Sequence, residues 1–410
     1  MIEVYEETAL TPMSVAKMSG YTDWSSQPSM FKHYPEYLFR YKFGENEKLQ
    51  PIEDARYITS KKIIGAKTYY QLNTPSAGNL HPIELYVQIR GIKGILSGIY
   101  HVDVGALEMV LVREVESEGI EPYIGLQNSF SGIIFIISCV PFRAEWKYGR
   151  RAIRYCYLDA GHQVGAISAS LKLHRQKMTI LSDFNKDKLN DFMGFKEDEF
   201  VMAALASGEL RKKSINIFKD NLMYVCAVDY SELSNYLAKN ISNNHLLKSE
   251  VTQITSNLKK VDIDNRRSTR FFKDRAIDED KLEYFLQLAN GSLHFLSCYY
   301  IRLRDSSKRA GVYLKGELLK EGLFAKQLSK ILVEQSFVKN AEIIIVVTSK
   351  YFSANKLMQA GAFVHNLYLE AESQSLGCSG IGAFYDKKMQ NFLTTNEYIL
   401  YVCAIGEQQK

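Results

Sequence analysis

The chain has 410 residues, 46% apolar and 24% charged, which is the balance of an ordinary globular protein and excludes bulk disorder. Its formal net charge of +5 is spread without a Lys/Arg block, giving no case for nucleic acid but tolerating an anionic cofactor. The longest apolar runs, Gly132–Val140 and Ile343–Val347, fall far short of the roughly 20 residues that cross a bilayer. The opening Met-Ile-Glu-Val-Tyr-Glu-Glu is acidic where a signal peptide would be basic, so the expectation is a cytoplasmic protein off the membrane.

In chain order, residues 1–50 are rich in aromatics and Pro and read as an N-terminal extension wrapped on a first domain, 51–215. That domain opens helically into the turn Gly78-Asn79-Leu80-His81. It continues with a strand at Ile83–Ile89, a Gly-x-Tyr strand and a buried strand at Ile133–Cys139. A long helix at Leu158–Leu173 and a last strand at Phe200–Ser207 complete it. Residues 216–260 read as a linker, with a connecting helix and flexible ends in Ser231–Lys259. A second domain, 261–410, repeats the rhythm with strands Ser297–Leu303 and Ile343–Thr348, helix Met358–Leu376 and strand Ile399–Ile405.

The repetition is visible in the letters. Gly78-Asn79-Leu80-His81 aligns with Gly291-Ser292-Leu293-His294, and the same offset of 213 pairs Tyr86 with Tyr299, Gly98 with Gly311 and Tyr100 with Tyr313. Ala160-Gly161 then matches Ala360-Gly361, and Gly208-Glu209 matches Gly406-Glu407. An ordered series of this kind points to a diverged duplication of one α+β or α/β domain. The six cysteines are widely spaced with no C-x-x-C, so buried free thiols are expected rather than disulfides or zinc. Neither a P-loop nor a G-x-G-x-x-G motif is present.

Four clusters could carry chemistry. Asn265-Arg266-Arg267-Ser268-Thr269-Arg270 precedes an acidic helix, Asp278–Ala289, striped with Leu282, Phe285, Leu286 and Ala289. Three guanidinium groups beside a Ser suit a phosphate or anionic ring, although a solvated basic patch would look the same. Thr74-Pro75-Ser76-Ala77-Gly78-Asn79-Leu80-His81-Pro82 is a rigid turn of small side chains that lets a planar ligand approach the backbone, or simply a structural turn. Leu376–Phe384 is glycine-rich after a helix, where positive φ could serve a ligand or only a helix cap. Trp146-Lys147-Tyr148 follows a buried strand, and a Lys/Tyr pair there can move protons or be ordinary surface. His81 and His162 lie inside packing motifs and read as structural.

These segments (RRSTRFF, PSAGNLHPIELYV, SGIY, KYGRRAIRYCYLDAGH and LGCSGIGAF) resemble the FMN-dependent nitroreductase superfamily. The KY pair with YLDAGH resembles its SagB-type branch, which oxidises azolines to thiazoles and oxazoles in ribosomal peptides. The extension TDWSSQPSMFKHYP is similar to that of long SagB-type chains. The resemblance covers most of 50–210 and 262–407. It implies an α+β fold, a mixed sheet flanked by helices, assembled as an intertwined dimer with FMN held by both partners. Here that becomes two tandem nitroreductase-like domains forming an intrachain pseudo-dimer, with further dimerisation left open. By the same resemblance Arg266, Arg267, Ser268 and Arg270 would grip FMN. Ser379, Gly380, Ile381 and Gly382 would line its ring, and Pro75, Ser76, Gly78 and Asn79 would come from the first domain. Lys147 and Tyr148 would be catalytic, the Lys taking the azoline proton.

Departures from the pattern matter as much. Domain one has only Glu53-Asp54-Ala55-Arg56-Tyr57 where RRSxR would stand, and His174-Arg175-Gln176-Lys177-Met178-Thr179 where the glycines would. Domain two has Leu288-Ala289-Asn290-Gly291-Ser292 in place of PSAGN, and its Lys350-Tyr351 is out of register with the KY pair. One FMN per chain is therefore expected. The substrate would be a peptide or small molecule, with a cyclodehydratase as the implied partner. Two other readings stay open: an NAD(P)H-dependent nitro- or quinone reductase, and a flavin-binding scaffold of a modification complex.

Overall fold

The computed structural model describes all residues except 1, 19–22, 65–66, 196–197, 227–234, 243–245, 249, 253, 292–295, 307 and 409–410. The expected Ser292-Leu293-His294 match, and parts of the expected 231–259 helix, lie outside the described residues. The chain divides into two compact units, one of residues 22–250 and one of residues 1–21 with 251–410.

Helices α1 (Ile2–Thr8) and α2 (Pro12–Met18) open the chain and belong to the second unit. The Tyr5 ring meets Phe352 at 5.0 Å and Tyr398 at 4.7 Å, and Leu10 N–H donates to Asp386 at 3.0 Å. The expectation that all of 1–50 wraps on the first domain is thus corrected for this stretch. Residues 32–42 do pack there. Buried Lys32 donates to Glu199 at 2.7 Å, and β1 (Arg40–Lys42) adds an edge strand.

In the first unit, α3 (Gln50–Glu53) is followed by a hairpin of β2 (Ile58–Ile64) and β3 (Lys67–Leu72). A hairpin, not a helix, therefore leads into the Gly78 turn. Its exposed lysines and β-branched residues suit a two-stranded ribbon that buries little. The main sheet holds β4 (Ile83–Arg90), β5 (Gly98–Asp103), β6 (Glu108–Glu114), β7 (Asn128–Cys139), β8 (Thr179–Leu181) and β9 (Phe200–Ser214). Helices α4 (Phe142–Tyr148) and α5 (Ala152–Leu173) follow β7, α6 (Lys186–Phe192) precedes β9, and α7 is Asn235–Ser242. The strand order is β1-β6-β5-β4-β7-β9-β8. Among the described residues of the expected connecting helix, α7 is helical, and its Ile241 carbonyl accepts the buried Lys186 ammonium at 2.5 Å.

In the second unit, α8 (Lys260–Asn265) and α9 (Glu279–Asn290) precede β10 (Ser297–Arg302), β11 (Gly311–Leu314) and β12 (Glu317–Glu321). Then come α10 (Ala325–Ile331), β13 (Ile343–Ser349), α11 (Ala354–Ser373), β14 (Leu376–Ile381), α12 (Asp386–Leu393) and β15 (Tyr398–Glu407). The order β12-β11-β10-β13-β15-β14 repeats that of the first sheet from β6 to β8. Leu282, Phe285, Leu286 and Ala289 are the buried face of α9, as their spacing predicts. All ladders among the described residues are antiparallel, and parallel pairing enters only as isolated bridges, one of them Ser268 to Cys378.

Each sheet has a central strand buried on both faces, Ile133–Cys139 and Ile343–Ser349, with β-branched residues on both sides of the pleat. Ile134 and Ile136 of the first strand share a core with Tyr86, Val201 and Ala204, and Ile344 and Val346 of the second with Phe384, Met389 and Val402. The long helices α5 and α11 are buried all round, which their Ala, Gly and Ser content allows.

Candidate active site

In the second unit, α8 stops at Asn265 because Arg266 turns to an extended conformation (ψ 119°). The following residues lie along the outer edge of β14. Ser268 bridges to Cys378, and Thr269 N–H donates to the Cys378 carbonyl at 2.9 Å. Close approach is what the glycines permit. A Cβ on Gly377 would meet Thr269 Oγ1 at 2.6 Å, and one on Gly380 would strike the Tyr401 hydroxyl. Neither has positive φ, nor does Gly382, so the expected left-handed loop is corrected to an edge strand, and α11 ends at Ser373 rather than Leu376.

The three arginines are placed differently. The Arg266 guanidinium is buried 5.2 Å above the Tyr368 ring, and burial lowers its pKa to about 10. Burial, with Arg266 adding to it, also pushes His365 down to about 3, so that imidazole is neutral at physiological pH. Half-buried Arg267 donates to the carbonyls of Asp264 at 2.8 Å and Arg266 at 2.7 Å. Exposed Arg270 donates to Ser379 Oγ at 2.7 Å and lies 4.8 Å over Phe337. Tyr368 ties the segment together: its hydroxyl accepts the Gly380 N–H at 2.6 Å and bonds Ser268 Oγ at 2.9 Å. Ser379 and Ile381 are buried, so Ser379–Gly382 offers chiefly backbone at the surface.

In the first unit, the turn after β3 hangs from α5. Ser76 Oγ donates to Asp159 Oδ2 at 2.5 Å and accepts the His81 N–H at 3.0 Å. Burial lifts the Asp159 carboxyl to about 7 against the opposing pull of Ser76, the Ala77 N–H and Arg56. Asn79 Nδ2 donates to the Tyr70 carbonyl at 2.8 Å and Oδ1 meets His81 Nε2 at 3.0 Å. The side chains of Ser76 and Asn79 are therefore spent on the turn itself. Gly78, Asn79 and His81 have φ of 63°, 58° and 48°, with right-handed Leu80 between the last two, and these bonds hold the two non-glycine residues in the left-handed region. Pro75, Ser76 and Asn79 are half-buried and Gly78 is exposed.

Lys147 and Tyr148 end α4 beside that turn. A Cβ on Gly78 would lie 2.5 Å from the Tyr148 hydroxyl, and the Tyr148 ring packs edge-on against Tyr155 at 4.8 Å. The half-buried Lys147 ammonium lies 4.9 Å over the Trp24 ring, and desolvation lowers its pKa. His162 is buried, while Lys350 and Tyr351 are exposed in a bend after β13. The structure thus gathers Arg266, Arg267, Ser268 and Arg270 with Ser379–Gly382, and separately Pro75–Asn79 with Tyr148 and Lys147. Sequence reasoning missed Asp159 and Trp24. The signal for Asp159 was a lone carboxylate inside the apolar run Tyr157–Ala160. Among the described residues, no group of three or more His, Cys, Asp or Glu could hold a metal ion, and no helix is long and apolar enough to cross a membrane.

Residues 263–407 match the model of the Nitroreductase family. A protein of Methanocaldococcus jannaschii that carries a nitroreductase name is 27% identical over 92 residues, covering 20% of this chain and 46% of that protein. The chain spans about half the length of that curated relative. A crystal structure from Anabaena variabilis, also bearing a nitroreductase name, superposes with a TM-score of 0.81 over 99% of both chains at 20% identity. A Desulfovibrio desulfuricans structure in complex with FMN is 19% identical, covering 38% of this chain and 89% of that one, with a TM-score of 0.30. The fold is that of the nitroreductases along the whole chain.

Proposed function

We propose that the chain is an FMN-dependent oxidoreductase that dehydrogenates azoline rings in a modified peptide, as the SagB-type resemblance implies. The observation that carries this is the segment Arg267–Arg270 laid along the glycine-bearing edge of β14, inside the stretch that matches the Nitroreductase family. The exposed Arg270 guanidinium beside Ser379, with Arg267 three residues before it, suits the phosphate tail of a flat-ringed cofactor. Arg266, buried on Tyr368, holds the segment from beneath. Bound FMN would supply the ring that accepts a hydride.

The remaining work falls to the chain. Aromatising an azoline removes a hydride and a proton from the ring, and the proton needs a base. Lys147, whose pKa is lowered by desolvation, accepts that proton at Nζ. Tyr148 fixes the end of α4 against the Gly78 turn. The repeated strand order supports descent by duplication. The substrate peptide and a cyclodehydratase acting before it are the partners this reading calls for, in the cytoplasm. The test is aerobic incubation with an azoline-bearing peptide and mass spectrometry for the loss of two hydrogens. Oxidation of NADPH with a nitroarene but not of the azoline would replace this reading with that of a general reductase, and bound FMN with neither activity would leave a scaffold.

A further inference from the structure

The tight turn Ser336–Asn340, just before β13, carries no motif, yet it meets the arginine segment at two points. The half-buried Phe337 ring lies 4.8 Å from the Arg270 guanidinium and stacks with Phe272 at 6.1 Å and an interplanar angle of 29°. Asn340 Nδ2 donates to the Phe272 carbonyl at 3.5 Å. Phe272 is itself fixed by β15. Its buried ring lies where a Cβ on Gly406 would approach to 3.1 Å, and the next residue, Lys273, donates its N–H to the Glu407 carbonyl at 2.9 Å.

These contacts form a line of supports from β15 through Phe272 and Phe337 to Arg270. Arg270 gains most from such a support, because an exposed arginine has many rotamers and gives them up when it grips an anion. A guanidinium already laid on an aromatic ring has lost that freedom before the anion arrives. The ring engages the charge of the cation and consumes none of its N–H donors. The turn at the same place in the first unit, Glu121–Ile124 before β7, closes on its own sheet instead. There the Glu121 carboxylate accepts the Phe130 N–H at 3.0 Å and pairs with Arg90 at 3.1 Å.

We infer that Phe337 is a positioning residue for the cofactor, its ring holding the Arg270 guanidinium in the place where FMN meets it. This rests on the flavin reading of Arg266–Arg270. It puts a determinant of FMN affinity on a turn about 70 residues further along the chain, outside every segment that carries the resemblance.

The test is a double-mutant cycle on the full chain, stripped of flavin and titrated with FMN, with quenching of flavin fluorescence as the readout. Phe337→Ala and Phe337→Leu should each weaken FMN binding about threefold to tenfold, the size of one cation–aromatic contact, and Phe337→Tyr should stay within about twofold of wild type. Leu fills most of the volume without a π face, so its loss reports the ring rather than the packing. In an Arg270→Ala background, Phe337→Leu should add less than about twofold. Wild-type affinity in Phe337→Leu, or the same loss with and without Arg270, overturns the inference. Azoline oxidation together with uncoupled losses removes this role and leaves the dehydrogenase reading; coupled losses in a chain that oxidises no azoline do the reverse.

Discussion

Arg56 and Arg266 show the two units using one device to different ends. Each follows a short helix, α3 or α8, and each buries its guanidinium against the long helix of its unit with a pKa lowered to about 10. Arg56 is consumed there, donating to Gln163 Oε1 at 2.9 Å and to the Ile83 carbonyl. Arg266 instead opens a segment in which Arg267 donates to the Asp264 and Arg266 carbonyls and Arg270 reaches Ser379 on β14. The strand that corresponds to β14 is β8, three residues long and preceded by His174–Met178, where Arg175 rather than glycine takes a φ of 57°. The fold needs the buried arginine in both units. Only the second unit carries further arginines, Arg267 and Arg270, in the segment that follows its buried one.

The sharpest way to break the comparison is the lysine to which only the first unit gives a proposed role. Lys147→Ala should keep FMN and lose about 10²–10⁴ in azoline turnover, the usual worth of a positioned base. Lys350→Ala, in the exposed bend of the second unit, should leave the rate within about twofold. Equal losses in the two variants would erase the distinction.

Next in size is the cofactor itself. Arg267→Ala and Arg270→Ala should each weaken FMN binding by about tenfold to a hundredfold, the value of a hydrogen bond to a charged partner. Wild-type protein should release one FMN per chain on heating, measured by absorbance against protein concentration. Two per chain would mean that the first unit also binds flavin without outer arginines. Arg56→Ala should keep that ratio in the folded fraction while losing about 2–4 kcal/mol in denaturant unfolding, because buried acceptors lose their donor.

The smallest effect is a pH dependence at the turn. The folded-state pKa of Asp159, about 7, lies above its unfolded value of 3.8. The native state therefore holds the proton more tightly, and the stability this adds is complete below about pH 4 and fades as pH rises through 7. Thermal melts of wild type and Asp159→Asn between pH 4.5 and 8 should show the wild type losing about 1–3 kcal/mol relative to the variant. A constant difference across that range would place the proton elsewhere.

Much of this was legible because repeats and buried strands leave strong signals. Tyr86 and Tyr299 fall in β4 and β10, Gly98 and Gly311 begin β5 and β11, and the 213-residue offset found them without any structure. The arginine cluster and the Gly78 turn stood out in the sequence for the same reason: rare residues in tight spacing. What sequence could not yield were pairings distant along the chain. Ser76 and Asn79 looked like ligand donors until Asp159 and Tyr70 claimed them. Gly377 and Gly380 looked like a loop, because glycine signals φ freedom and close approach with the same letter, and only the Thr269 and Tyr401 side chains decide between them.

The seating of α1 on the second unit also sets a timetable for biosynthesis. The Leu10–Asp386 hydrogen bond joins residues 376 apart, so the first helix leaves the ribosome long before its partner exists. At about 5–20 residues per second, the wait is on the order of 20–75 s. During it, residues 22–250 have already emerged and can close their own sheet, while Val4, Tyr5 and Leu10 remain apolar side chains without a home. On the ribosome, α1 therefore docks only after the sheet and helices of residues 251–410 have followed it out.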